Sequence, residues 1–248
     1  MISKYSLFNK YEDYISTLPD KREYTKDEIL TDRFMLYKED MLSIYYAPHN
    51  EYINDYAEIL VLGICPGWTQ MKKAYQSVHQ SVSLGNLSDE SILKKAKIDS
   101  RLWGTTRTNL VSMFNEIGLP ERLHLSSSGC LFDASNLILH TTSLIKYPVF
   151  VAGMKNYNGY FPAINNNDSL YFYCKTYLTE ELDNLHNLKM VIPLGRIVEY
   201  TFLHLFPSYN EITIKNFPHP SGINGSRLKQ FATYKEQISL QVRSLYKN

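Results

Sequence analysis

Two loops at the ends of apolar runs carry the residue types best suited to ligand chemistry. The first is LVLGICPGW at residues 60–68, and the second is NFPHPSGINGSR at residues 216–227. Gly63 and Gly67 let the backbone approach a ligand closely, whereas Pro66 fixes its own φ and favours extended geometry at Cys65. The first loop is therefore predicted to present backbone donors to a ligand.

The second loop contains a histidine whose direction is restricted by its neighbours. His219 lies between two prolines, so its imidazole is expected to point one way at the end of a strand. Ser221, Gly222 and Asn224 then lead into a helical pattern, and amides at the start of a helix favour anions such as phosphate. The second loop thus combines a candidate proton or hydrogen-bond donor with a candidate anion site.

The elements that must position these loops are predicted from hydrophobic periodicity. Short apolar runs that are typical of buried strands are LSIYYA, EILVLGI ending at Ile64, SNLILHTTSLI, KMVIPLG and EITIKNF. Helical patterns cover 25–41, with a capping box at Thr25 and Glu28, then start at 69, cover 105–117 and 168–186, and start again at 197 and about 226. The stretch with Asn165, Asn166 and Asn167 is predicted to be a loop.

The alternation of strands and helices predicts an α/β fold with a mainly parallel sheet that is covered by helices on both faces. In such sheets ligands meet the carboxyl ends of the strands. A chain of 248 residues, 44% hydrophobic, is expected to form a single domain over 1–248, with 1–57 as an N-terminal helical and strand extension packed on it.

Composition limits the classes of function. The net charge of +1 excludes a global basic field, so any nucleic-acid contact must use a local patch. Cys65, Cys130 and Cys174 are too few and too far apart for a disulfide framework, a zinc site or an iron–sulfur cluster. Without a signal core or an apolar run of about 18 residues, we expect a reduced cytoplasmic protein with no metal, no cofactor and no membrane association.

The order and separation of the two loops carry a family resemblance. A GxxPG loop after the first central strand, followed about 150 residues later by HPSG, resembles the signature motifs of the uracil-DNA glycosylase superfamily. The similarity extends from about residue 58 to residue 230. It implies a three-layer α/β/α domain with a short, mainly parallel central sheet and DNA as the partner, with no obligate protein partner evident.

The resemblance also implies roles for individual residues. LWGTTRTNLVSMFNEIGL at residues 102–119 is similar to the family helix that follows the base-stacking aromatic, so Trp103 is the expected stacking residue, with Trp68 and Tyr75 as reserves. Trp103 as a core residue is an equally open interpretation. In SNLILHTTSLIKYP, Thr142 takes the position of the asparagine that reads uracil. His140 is expected on the same face, where it shares that reading.

Further roles concern the leaving base and the DNA backbone. His219 would donate to the base oxygen and stabilise the departing anion. The expected backbone contacts are Ser221, Gly222, Asn224, Arg107 and Arg227, with Lys72 and Lys73 as further candidates. Solvated surface charge is the alternative for the lysines and arginines.

The chain departs from the family pattern at the catalytic position. Cys65 stands where other members have an Asp or Asn that directs the attacking water, and Ile64 stands where another branch has a glutamate. Both positions stay in the expected catalytic set although both usual groups are missing. Cys65 as a covalent nucleophile has little support, because nothing nearby in sequence would lower its pKa.

The sequence therefore predicts a monofunctional DNA glycosylase that hydrolyses the N-glycosidic bond of a flipped-out uracil or another damaged or modified base and leaves an abasic site. One alternative is a catalytically inactive superfamily member that binds nucleic acid or a partner. Another is an enzyme that acts on free nucleotides or nucleosides.

Overall fold

The computed structural model describes residues 1–21 and 23–246, which form helices and short strands. The helices are α1 (Phe8–Ser16), α2 (Lys26–Ile29), α3 (Trp68–Ser83), α4 (Asp89–Ser100), α5 (Thr105–Glu116), α6 (Leu119–Arg122), α7 (Asp168–Asn184), α8 (Arg196–Leu205) and α9 (Arg227–Leu245). The strands are β1 (Met35–Glu39), β2 (Leu42–Tyr45), β3 (Ile59–Gly63), β4 (Leu139–Ser143), β5 (Val149–Val151), β6 (Lys155–Asn156) and β7 (Met190–Pro193).

The chain divides into two compact units, each assembled from separate segments. Unit 1 comprises Met1–Ile53, Cys65–Trp103 and Ile145–Asn184, and unit 2 comprises Asn54–Ile64, Gly104–Leu144 and Leu185–Asn248. Residues 1–53 thus share unit 1 with two later segments. The single-domain interpretation, with 1–57 as an extension, stays a prediction.

Unit 2 contains a three-stranded parallel sheet in the order β4-β3-β7. The central strand β3 pairs in register with both neighbours, Val61 lying opposite Thr141 on one side and Ile192 on the other. Residues 59–62 and all of β7 are buried, as expected for parallel strands covered on both faces. The predicted α/β class with a short parallel sheet is confirmed.

The predicted strand EITIKNF is wrong for most of its length. A 3-10 helix covers Pro207–Ile212, and the only bridge described for this segment joins Thr213 to Val191 in parallel. Side chains take the next backbone donors, because Lys215 N donates to Gln241 Oε1 and Asn216 N donates to Glu199 Oε2. These contacts replace a strand ladder that the apolar pattern alone favoured.

Unit 1 contains a four-stranded antiparallel sheet in the order β1-β2-β5-β6. The helix predicted over 25–41 is wrong beyond Ile29, although the Thr25–Glu28 capping box forms. Glu39 pairs with Leu42 across a tight turn that contains Asp40 at φ 46°. The pairing of β1 with β2 therefore overrides the helical spacing of the apolar residues.

The stretch predicted to be irregular before α7 contains a second hairpin. Phe150 of β5 pairs with Asn156 of β6, and Gly153 adopts φ 70° in the turn. Three helices were not predicted from periodicity: α1, which buries Phe8 and Tyr11, α4, whose N-cap is Ser88, and the single-turn α6. The remaining predicted strands and helices are confirmed with bounds that differ by a few residues.

Candidate functional site

Two parts of the sequence motifs belong to unit 2: residues 60–64 of the first loop and the whole second loop. Both reach the carboxyl edge of the parallel sheet of this unit. Gly63 ends β3 opposite Ser143, the last residue of β4. Gly195, which follows β7, donates its N–H to Phe217 O at 2.9 Å. The chain that leads to His219 therefore runs beside the end of β7, at the edge where ligands bind in parallel α/β sheets.

His219 is fixed by a glycine that allows close backbone approach. Gly195 adopts φ +97°, and a Cβ on it would lie 3.3 Å from His219 Cβ. A side chain at position 195 would thus be strained by its backbone conformation and would press on His219. The glycine sets the position of the imidazole at the sheet edge.

The imidazole of His219 is neutral and has a defined tautomer. Burial lowers its pKa below the ordinary value of 6.5, which disfavours the charged form. Ser221 N donates to His219 Nδ1 at 3.1 Å, so Nδ1 is an acceptor and the proton resides on Nε2. No partner for Nε2 occurs among the described residues, and this N–H is therefore available to a ligand.

The rest of the HPSG loop is held by its own side chains. Asn224 Nδ2 donates to His219 O at 3.1 Å, and Arg227 Nη1 donates to Ser221 O at 3.1 Å. Ser221 Oγ accepts from Ile223 N at 3.2 Å. Ser221, Asn224 and Arg227 thus shape the loop, and Gly222 is exposed on it.

Helix α5 packs its first turns against this loop. Asn109 Nδ2 donates to Pro220 O at 2.8 Å, and a Cβ on Gly222 would lie 3.6 Å from Thr105 Oγ1. Arg107 is half-buried, with its guanidinium carbon 5.2 Å from the centre of the Phe132 ring. The structure therefore brings Arg107, on α5, into the same unit as the HPSG loop.

Thr142 and His140 occupy different depths of β4. Thr142 lies opposite Leu62, one residue before the carboxyl edge, and its buried Oγ1 has no hydrogen-bond partner among the described residues. His140 lies two residues earlier, is 1% exposed, and accepts from Asn54 N at 3.4 Å through Nδ1. At about 3.3 Å per residue, His140 is placed in the core instead of at the ligand edge.

Ile64 follows β3 in unit 2, and its half-buried side chain is apolar. It can neither accept nor donate a proton. The position at which the resemblance puts a glutamate therefore supplies no general base.

Unit 1 contains the remainder of the first loop. Pro66 is buried, and Gly67 precedes α3, which begins at the half-buried Trp68. Trp68 N donates to Asn156 Oδ1 at 3.1 Å, and a Cβ on Gly67 would lie 3.6 Å from Asn156 Nδ2. Strand β6 thus braces the first loop through one asparagine.

Cys65 is unsuited to covalent catalysis. Burial raises its pKa to about 12, and its thiol lies 3.7 Å from Tyr157 O in donor geometry. The thiolate, which is the nucleophilic form, is therefore scarce near neutral pH. Cys65 provides neither a nucleophile nor the carboxylate that the family resemblance puts at this position.

Trp103 is exposed and does not belong to the core. Its side chain is 46% exposed, and Lys73 Nζ lies 5.1 Å from the ring centre. Tyr75 is instead fully buried and donates to Tyr46 O at 2.9 Å, which excludes it as a reserve stacking residue. Lys72 pairs with Glu23 at 3.4 Å.

Four residues that support or extend the loops were not predicted: Gly195, Asn109, Asn156 and Ile223. Only the positive φ of Gly195 had a local signal, a glycine directly after a strand. The contacts of Asn109 and Asn156 join residues that are 111 and 88 positions apart. Ile223 is 96% exposed. The residue type alone could not predict this exposure, because isoleucine is usually buried.

The described residues contain neither a candidate metal site nor a candidate membrane span. No three His, Cys, Asp or Glu side chains are grouped so that they could hold a metal ion. Among the helices within residues 1–21 and 23–246, none has the length and apolar character to cross a membrane.

Comparison with known proteins assigns the chain to a family. No family model matches it. The uncharacterized protein YoxB of Bacillus subtilis (strain 168) is 40% identical over 247 residues, which cover 98% of this chain and 95% of YoxB. The chain belongs to the YoxB family. Because the name YoxB states no activity, the function of this YoxB family member must be inferred from its site.

Proposed function

We propose that this YoxB family member is a DNA glycosylase of the uracil-DNA glycosylase superfamily, with the three-layer arrangement of that superfamily. It hydrolyses the N-glycosidic bond of a flipped-out uracil or another damaged or modified base and leaves an abasic site. One observation carries the proposal: His219 presents a neutral, unpartnered Nε2–H at the carboxyl edge of the parallel sheet.

The chemistry needs a donor at the departing base. A water oxygen forms a bond to the sugar C1′, the C1′–N bond breaks, and its electron pair goes to the base. Nε2–H of His219 then hydrogen-bonds the base oxygen on which negative charge develops. A neutral imidazole suits this role because the proton stays on the histidine, while solvent takes the proton of the water and supplies the one that the base gains.

The loop after His219 suits DNA contact. The exposed Gly222 leaves the backbone near Ser221 open to a phosphate. Ile223, 96% exposed at this loop, is suited to insert between neighbouring bases and hold the target nucleotide out of the stack. Arg107 and Arg227 carry planar guanidinium groups, which suit contacts to phosphates.

A second candidate function is supported by the first loop. Ile64 is apolar and the thiol of Cys65 is neutral, so neither positions a water as a carboxylate does. A protein that binds a base in DNA without cleaving it would have this combination. The retained His219 geometry favours the enzyme.

The test is incubation of the protein with a panel of base-modified oligonucleotides, followed by mass spectrometry of released bases and a gel assay for abasic sites. We expect one base to be released from DNA and His219→Ala to slow single-turnover release about a hundredfold or more, with DNA affinity unchanged. His204→Ala on α8 is the matched control and keeps full activity.

Binding of one modified oligonucleotide without release would establish the non-catalytic function instead. Release from free nucleosides but not from DNA would identify the free-nucleoside enzyme. Unchanged release by His219→Ala would remove the role assigned to the imidazole.

A further inference from the structure

Unit 1 exposes two neighbouring aromatic rings on one loop, residues 157–162, here named the aromatic loop. Tyr160 is 70% exposed and Phe161 is 80% exposed, and neither ring stacks on another ring among the described residues. Connecting loops are usually built from small and polar residues. Large apolar surface that is left in water at such a place marks an interaction site.

The aromatic loop is held in shape by its own hydrogen bonds. Tyr157 is buried, donates its backbone N–H to Val149 O at 2.9 Å, and donates its hydroxyl to Pro162 O. Tyr160 N donates to Asn158 Oδ1 at 3.1 Å. Because both ends of the loop are fixed, binding through the two rings orders little additional chain.

The base of the aromatic loop contacts the first sequence motif. Cys65 Sγ lies 3.7 Å from Tyr157 O, and Asn156 Oδ1 accepts from Trp68 N at 3.1 Å. The two loops are therefore braced against each other within unit 1. A polymer that reaches Trp68 has a short path along the same unit to the exposed rings.

The charge of the segment that carries the rings favours an anionic polymer. Residues 148–167 contain Lys155 and no Asp or Glu, and Lys26 Nζ donates to Met154 O at 2.6 Å. The segment also contains several asparagine amides. Exposed aromatic rings on a segment whose only charged side chain is a lysine combine stacking with positive charge, as proteins that bind single-stranded nucleic acid do.

We propose that the aromatic loop binds single-stranded DNA, with Tyr160 and Phe161 stacked on unpaired bases and Lys155 and Lys26 beside phosphates. This binding deepens the proposed function by assigning the strandedness of the DNA, and it rests on that function only for the choice of DNA as the polymer. It requires no base to be cleaved.

The experiment is fluorescence anisotropy with an oligothymidylate and an abasic oligomer of equal length and charge, using the full chain. The wild-type protein binds the oligothymidylate more tightly, because only bases can stack. Tyr160→Ala with Phe161→Ala weakens that binding by about tenfold to a hundredfold, and its affinity for the abasic oligomer stays unchanged. Tyr160→Phe with Phe161→Tyr retains the wild-type affinity.

The matched control changes another exposed Tyr-Phe pair of unit 1, Tyr171 and Phe172 on α7, to alanine and keeps the wild-type affinity. Equal binding of both oligomers by the wild-type protein, or equal losses in the two double variants, would overturn the proposal. Tighter binding of an oligouridylate would overturn the choice of DNA. Loss of self-association or of anionic-vesicle binding, instead of DNA binding, would assign the rings to another partner.

Failure of base release does not affect this test. If the wild-type protein prefers the oligothymidylate and only the aromatic-loop variant loses that preference, the inference holds without a glycosylase activity. If bases are released while the two oligomers bind equally, the proposed function holds and the inference fails.

Discussion

The imidazole of His219 is prepared as a donor by one backbone hydrogen bond and by burial. The Ser221 N–H occupies Nδ1, and burial keeps the ring neutral by lowering its pKa. In contrast, Ile64 and Cys65 give the attacking water no carboxylate. If the protein is the glycosylase proposed above, assistance to the departing base outweighs assistance to the water, which suits a base that leaves more readily than uracil or is held by additional contacts.

The hydroxyl of Thr142 predicts that ordinary uracil is not the best substrate. An asparagine offers a donor and an acceptor to the uracil edge, whereas the buried, unpartnered Thr142 Oγ1 offers one hydroxyl. Mismatched polar groups cost about 1 to 3 kcal/mol each. We expect Thr142→Asn to raise kcat/KM for uracil about tenfold or more relative to the preferred base.

The measurement compares kcat/KM on matched oligonucleotides that contain uracil, hypoxanthine, xanthine and 5-substituted pyrimidines. Thr142→Val, which has nearly the same shape without the hydroxyl, is the control and loses the preferred base without gaining uracil. If the wild-type protein cleaves uracil fastest, the interpretation of Thr142 is wrong.

At the scale of elements, the sequence correctly predicted those helices and strands that are determined by interactions between residues close together in the chain. The strand β3, the helix α5 and the capping box at Thr25 follow from apolar periodicity and capping, and the structure has them. The helix predicted over 25–41 failed because β1 pairs with β2, and EITIKNF failed because Gln241 and Glu199 take its backbone donors. Neither partner is visible in a local window.

The candidate site likewise has features that local sequence predicted and features that depend on residues distant in the chain. The strand expected before His219 is largely absent, and its loop instead runs beside the end of β7; its tautomer depends on Ser221 and its placement on Gly195, 24 residues away in sequence. His140 was expected to read a base, and strand alternation alone could not tell that Asn54 holds it in the core. Residue spacing predicts which side chains share a face of a strand. The distance of each side chain from the carboxyl edge of the sheet can be predicted only when the pairing of the strands is known.

The contact between β6 and α3 predicts how the first loop is stabilised. Asn156 Oδ1 accepts from Trp68 N, an amide of the first helical turn. Asn156→Ala removes this acceptor and is expected to lower the free energy of unfolding by about 1 kcal/mol. Asn156→Asp keeps the oxygen and adds a negative charge at a helix N-terminus, which is favourable.

Urea denaturation of both variants tests this contact. Asn156→Asp should unfold at a urea concentration at or above that of the wild-type protein, and Asn156→Ala at a lower one. Asn158→Ala, which alters the neighbouring aromatic loop without touching Trp68, is the control for general damage to the segment. Equal destabilisation by Ala and Asp at position 156 would show that the bond to Trp68 contributes nothing.

At the scale of the whole chain, unit 1 joins its separated segments through buried polar and charged groups. Lys146 Nζ lies 2.9 Å from Glu51 Oε2 and donates to Ser3 Oγ at 2.9 Å, while Ser3 Oγ donates to Glu180 Oε2 at 2.6 Å. Lys97 Nζ donates to Asn50 Oδ1 at 2.7 Å. Removing one partner of such a buried pair costs about 3 to 5 kcal/mol, so these groups hold the segments in one arrangement.

This cluster makes the stability of the protein depend on pH through Lys97. Burial lowers the pKa of Lys97 from 10.5 to about 7, with Arg101 and Lys146 acting in the same direction and Glu181 and Glu51 opposing them. Between these pKa values the unfolded chain binds a proton that the folded chain lacks. Unfolding free energy therefore rises with pH through this window, by up to about 1.4 kcal/mol per pH unit.

The prediction is that Lys97→Met removes this rise. Urea denaturation between about pH 7 and 9 should show the wild-type protein gaining stability relative to Lys97→Met as the pH increases. The window ends below pH 10, because burial raises the pKa of Tyr46, Tyr75 and Tyr147 well above 10 and gives the opposite slope there. Lys95→Met, exposed on the same helix, should follow the wild-type curve, and a Lys97→Met curve parallel to it would refute the assignment.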